Sequence, residues 1–135
     1  MKKLIMKFIL FWLLAFCIFE AAFADKMLDK LNKIYNNGVK KVNDEISSPI
    51  LADIKIDVDD AKSDGKNAQP CYEIAKSLMQ RTINSTTFEL TKCRAEGFAN
   101  QDIEFAKECS RGIISDFEKK ANEIRTSAKT CIDNL

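Results

Sequence analysis

Four cysteines restrict this chain more than any other set of its residues. Cys71 and Cys93 are 22 residues apart, Cys109 and Cys131 are also 22 apart, and 16 separate the inner two. Over 22 residues a helix turns about 40° beyond whole turns and rises roughly 33 Å. Each segment therefore predicts a helix with a cysteine near either end, both on nearly one face. In an antiparallel helical hairpin, facing residues share a constant sum of positions. Cys71 with Cys131 and Cys93 with Cys109 both give 202. The midpoint, residue 101, falls in the polar stretch Asn100-Gln101-Asp102, which supplies N-cap candidates, and Gly97 just before it supplies a helix C-terminus.

Four cysteines allow three pairings. Joining Cys71 to Cys93 and Cys109 to Cys131 would ask each bond to bridge about 33 Å of helix, where a disulfide needs alpha carbons about 6 Å apart. Joining Cys71 to Cys109 and Cys93 to Cys131 requires parallel helices and an extended return through residues 94–108, whose Ile103, Phe105 and Ala106 read as helical. The nested pairing, Cys71–Cys131 with Cys93–Cys109, is the one expected.

The N-terminus sets the compartment in which such bonds would form. Lys2, Lys3 and Lys7 precede a 12-residue apolar run from Phe8 to Phe19, and Ala22-Phe23-Ala24 supplies an A-x-A cleavage site. Residues 1–24 thus read as a secretory signal peptide, the apolar run being short for a bilayer span. Residues 25–135 then form a single helical domain, with N-terminal helices over 25–64 and the disulfide-linked hairpin over 68–135. No later stretch is apolar enough to span a membrane.

Removal of the signal leaves 111 of the 135 residues, 18 of the 21 basic and 19 of the 20 acidic side chains, for a net charge of −1. That balance gives no overall attraction to nucleic acid or to an anionic membrane. Only Phe88, Phe98, Phe105 and Phe117 remain as phenylalanines, beside Tyr35 and Tyr72. A small secreted domain with so few aromatics is of the kind that relies on disulfides.

From Asp25 to Ile46, the apolar positions Leu28, Leu31, Tyr35, Val39, Val42 and Ile46 recur at steps of 3 and 4, an amphipathic helix. Asn36-Asn37-Gly38 marks a kink or a division into two helices. Ser47-Ser48-Pro49 reads as a stop and fresh start, with Ser48 as N-cap and Pro49 at the first helical position. In the next stretch, residues 50–62, Ile54, Ile56 and Val58 alternate like a strand, while Ile50, Leu51, Ile54, Val58 and Ala61 share one helical face; the Ser-Pro start favours helix. Residues 63–67 form a polar linker, and Pro70 suits the opening turn of the first cysteine helix. On that helix Ile74, Ala75, Leu78 and Met79, with Thr82, Ser85 and Glu89, are expected on the cysteine face. On the last helix Ile103, Ala106, Ser110, Ile113, Phe117, Lys120, Ile124, Ser127 and Cys131 mark the seam of an antiparallel bundle. Gly112 interrupts that helix and suggests close approach beside Cys109 or nothing at all.

The chain contains no histidine, so Ser-His-Asp and Cys-His catalysis and histidine-containing zinc or haem sites are excluded. The cysteines are too widely spaced for a four-cysteine zinc site, and with only Gly38, Gly65, Gly97 and Gly112 no phosphate-binding glycine loop exists. Asp57, Asp59, Asp60 and Asp64 suggest calcium, but the nearest EF-hand register, from Asp60, puts Lys62 at the third ligand and Cys71 at the twelfth. A solvated acidic face is the expectation. No cofactor or metal is expected. Glu89, near the seam, reads as a snorkelling or exposed carboxylate rather than a catalytic acid. Asn84-Ser85-Thr86 is an N-glycosylation sequon whose Asn84 lies about 220° round the helix from Cys71, away from the disulfide face.

The pattern C-x21-C-x15-C-x21-C in a secreted helical chain resembles the insect secreted proteins of the tsetse EP type, over about residues 50–135. The resemblance implies an extracellular protein of gut, saliva or body fluid without catalysis. The expectation is an all-α fold, a small helical bundle with a disulfide-stapled antiparallel hairpin. Its expected function is that of a secreted, non-catalytic binding or effector protein acting through its surface on a protein partner. The alternative is a carrier of a small apolar ligand between helices, with Ile83, Phe88 and Leu90 as lining residues. Neither reading involves nucleic acid.

Overall fold

A computed structural model describes residues 2–135; Met1, the first residue of the expected signal segment, lies outside them. The described residues form α1 (Lys2–Lys40), a π-helical segment (Lys41–Ser47), α2 (Ser48–Ser63), α3 (Gln69–Ala99) and α4 (Ile103–Asp133). This is the all-α bundle expected, with α3 and α4 antiparallel and joined by Cys71–Cys131 and Cys93–Cys109, alpha carbons 5.9 and 5.7 Å apart.

The N-terminal part differs from expectation. Neither Asn36-Asn37-Gly38 nor Ser47-Ser48-Pro49 stops the chain. One continuous helix runs from Lys2 to Ser63, and Ser47 and Ser48 both keep right-handed helical angles. Pro49 has no N–H to offer the carbonyl four residues back, and its ring crowds that carbonyl. The wider π turns immediately before it relieve this conflict without ending the helix. The Ser48 N–H donates to the Asn43 carbonyl five residues back, and Asn43 Nδ2 donates to the Val39 carbonyl at 2.9 Å.

Burial supplies the reason to continue. Val42, Ile46, Ile50, Ile54 and Val58 are all buried at a constant step of four. On an ideal α-helix each such step drifts by about 40°, and the wider π turns offset part of the drift where the stripe crosses residues 41–47. Residues 50–62 are accordingly helix. Gly38 is buried inside α1 instead of kinking it; a Cβ there would lie 3.4 Å from Leu90 and 3.5 Å from Ile114.

Two matching caps terminate α2 and α3. After α2, Gly65 adopts φ +81° and donates to the Lys62 carbonyl, while the Lys66 N–H returns to that of Ala61. After α3, Gln101 adopts φ +50° and donates to the Phe98 carbonyl, while the Asp102 N–H returns to that of Gly97. Both are left-handed terminations that satisfy the last free carbonyls. Gly97, expected to supply the helix C-terminus, lies two residues inside it, and the left-handed residue is Gln101. Gly97 is needed for space, because a Cβ on it would sit 2.8 Å from the Cβ of Ala106. Of the N-cap candidates Asn100-Gln101-Asp102 it is Asp102 that caps α4, its side chain accepting from the Phe105 N–H at 3.0 Å.

Among the described residues the apolar core forms two clusters. The larger joins the Val42–Ala61 stripe to Cys71, Ala75, Met79 and Leu90 of α3 and to Phe117, Ala121, Ile124, Ala128 and Ile132 of α4. The smaller packs Met27 and Leu31 of α1 on Ala106. Burial begins abruptly: residues 2–23 are exposed wherever their side chains are described, Ala24 is half-buried, and Met27 is the first core residue. The packed body thus starts two residues beyond the expected cleavage point. Its apolar N-terminal extension is, as a continuous helix, long and apolar enough to cross a membrane, which the 12-residue run alone did not suggest; a signal sequence meets the same criterion.

Candidate functional site

Each cysteine helix buries a face rotated from the one its spacing suggested. On α3 the buried residues are Cys71, Ala75, Met79, Thr86, Leu90, Cys93 and Gly97. Ile74 and Leu78, expected on the cysteine face, point outward at 58% and 40% exposure. On α4, Lys120 and Ser127 of the expected seam are exposed, and Ala121, Ala128 and Ile132 are buried. The cause lies in the long N-terminal helix. It packs against both members of the hairpin, so each buried face is centred between two neighbours instead of on the α3–α4 contact. The ion pair from Arg125 of α4 to Asp53 of α2, at 2.9 Å, marks this third contact.

The three residues expected to line a ligand pocket diverge. Leu90 is fully buried, with its side chain beside Gly38. Ile83 is half-buried against the same core. Phe88 is 60% exposed on another side of the helix, with Lys92 Nζ 4.7 Å above its ring. Leu90 and Ile83 thus belong to the core packing of α3, Leu90 against α1 at Gly38, and Phe88 does not. The main surface depressions among the described residues involve none of the three.

The remaining candidates are open to solvent. Glu89 is exposed and pairs with Lys92 at 3.3 Å. Asn84 is exposed and accepts a hydrogen bond from Gln80 at 3.0 Å, whereas Thr86 of the same sequon is buried. Asp57, Asp60 and Asp64 border one shallow depression, but Lys66 and Lys129 share it. Among the described residues no cluster of three acidic or cysteine side chains is arranged to hold a metal. Gly112 has no neighbour within 4 Å of a would-be Cβ, so it serves no close approach.

What α3 does present is a straight outward ridge. Ile74, Leu78, Arg81, Ser85, Phe88 and Lys92 follow one another at steps of 4, 3, 4, 3 and 4, and all six are exposed. Those steps keep them within about 40° of one line along roughly 27 Å of helix. They are the steps by which a helix meets another helix in a coiled-coil seam. The core already takes the buried face of α3, so this register has no partner among the described residues. Sequence reading missed the ridge because Ile74 and Leu78 were assigned to the interior; the unbroken spacing through to Lys92 was the available signal.

The chain matches no protein-family model, no curated protein and no solved structure.

Proposed function

We propose that the chain is exported, cleaved after Ala24, and acts outside the cell as a non-catalytic binding protein through the outer ridge of α3. The observation that carries this reading is the second, unpartnered seam on a helix already stapled at both ends. Two disulfides to α4 hold the ridge straight, which lowers the ordering cost of binding. Ile74, Leu78 and Phe88 supply apolar anchors, with Arg81 and Lys92 between and beyond them. Such a surface fits a protein partner that offers an amphipathic helix with acidic flanks. The packed body beginning at Met27 agrees with cleavage at Ala24, and disulfides accord with an oxidising compartment. A glycan on Asn84 would flank the ridge, about 80° round the helix from Ile74.

The test is a comparative capture from extracellular fluid with wild-type protein, with Leu78→Glu/Phe88→Glu, and with Asp59→Ala as a control remote from the ridge. A partner held by the wild type and the control should weaken by about 2 kcal/mol or more on the double variant, the scale of lost interface anchors. A partner bound equally by all three would count against the ridge.

A further inference from the structure

The near-neutral total charge conceals a local basic row. Lys26, Lys30, Lys33 and Lys40 of α1 stand at steps of 4, 3 and 7, and all four are exposed. They lie within about 40° of one line and extend over roughly 21 Å. The row borders a groove of about 430 Å³ between α1 and α4, whose lining includes Lys30 and Lys33 from one helix and Lys107 from the other. Ile34 and Ile103, half-buried against the smaller core cluster, lie between the two walls. Carboxylates bear on the region as well: Glu104, paired with Lys107 at 3.3 Å, Asp29, on the outer flank of the row, and Asp44, exposed one turn beyond Lys40. The acidic surplus lies elsewhere, with Asp57, Asp60 and Asp64 beside the far end of α4.

We propose that this groove binds a linear sulfated polysaccharide. A one-dimensional row of ammonium groups matches a chain carrying permanent negative charges at intervals, and a groove edged by lysines on both sides would keep that chain in line. A lipid surface fits less well, because a helix lying on a membrane presents apolar side chains outward, whereas Ile34 and Ile103 are recessed. Single-stranded nucleic acid asks for exposed aromatic rings. Tyr35, the aromatic of this part of α1, is instead half-buried with the Arg94 guanidinium 4.1 Å from its ring centre. The site is separate from the α3 ridge, so either can fail while the other stands.

The experiment passes the disulfide-bonded protein over immobilised heparin at about 0.15 M salt, where weak surface attractions are already screened. The wild type should be retained and should elute as salt rises. Lys30→Glu/Lys33→Glu should flow through, and Lys30→Gln/Lys33→Gln should elute at intermediate salt. Lys62→Glu/Lys66→Glu makes the same change in net charge at the α2–α3 junction and should elute with the wild type. Circular dichroism should be unchanged throughout, since all four positions are exposed. Free heparin should compete and fully desulfated heparin should not. Wild type in the flow-through, equal loss in the two charge-reversed variants, or equal competition by desulfated heparin would each overturn the proposal.

Discussion

The two ends of the α3–α4 hairpin are closed by different means. At the turn end, Cys93–Cys109 joins residues only 16 apart, across a reversal that backbone bonds and the Asp102 cap already hold. Gly97 and Ala106 bring the helices together there by being small. At the open end, Cys71–Cys131 joins residues 60 apart, with no local turn to align them. Ile54, Val58 and Ala61 of α2 belong to the core that includes this end. The bond at the turn reinforces what local structure does, whereas the bond at the open end replaces local structure.

That contrast orders the expected effects. Replacing the outer pair, Cys71→Ala/Cys131→Ala, should cost about 4 kcal/mol, because it frees the longer loop in the unfolded chain. Replacing the inner pair, Cys93→Ala/Cys109→Ala, should cost about 3 kcal/mol by the same dependence on loop length. Urea unfolding of the two variants beside the wild type measures both values; a larger loss at the turn end would break the comparison.

Gly97→Ala sharpens it from the packing side. The added methyl would meet Ala106 at a distance that forces the backbones apart, for a loss of about 1–3 kcal/mol. Gly112→Ala has nothing to displace and should gain up to about 1 kcal/mol from helix propensity alone. Thermal unfolding of these two glycine variants should therefore move in opposite directions.

Much of the hairpin was legible in the residue positions, because helical rise, disulfide reach and the helical pattern of residues 94–108 together favour one pairing, and the polar Asn100-Gln101-Asp102 stretch holds the residue that caps α4. The faces were less legible. Spacing fixes which residues share a side, but a helix touching two neighbours buries a sector between them. Ile74 and Leu78 were therefore drawn into the interior, and Lys120 and Ser127 into the seam. Ser48-Pro49 misled for a different reason. A proline breaks a helix only where nothing outweighs the lost bond, and here Ile46 and Ile50 hold both sides of the junction in one core while the π turns absorb the strain. The basic row was invisible to net charge, since many of the acidic residues that cancel it, Asp57, Asp60 and Asp64 among them, lie elsewhere.

Native mass spectrometry of the protein secreted from eukaryotic cells tests most directly whether the interior is filled and binding falls to the exterior. The spectrum should show one species without a dissociable small molecule, four hydrogens below the reduced mass for the two disulfides apart from any glycan. An apolar compound released on activation would contradict a filled interior, because the helices would then enclose a ligand.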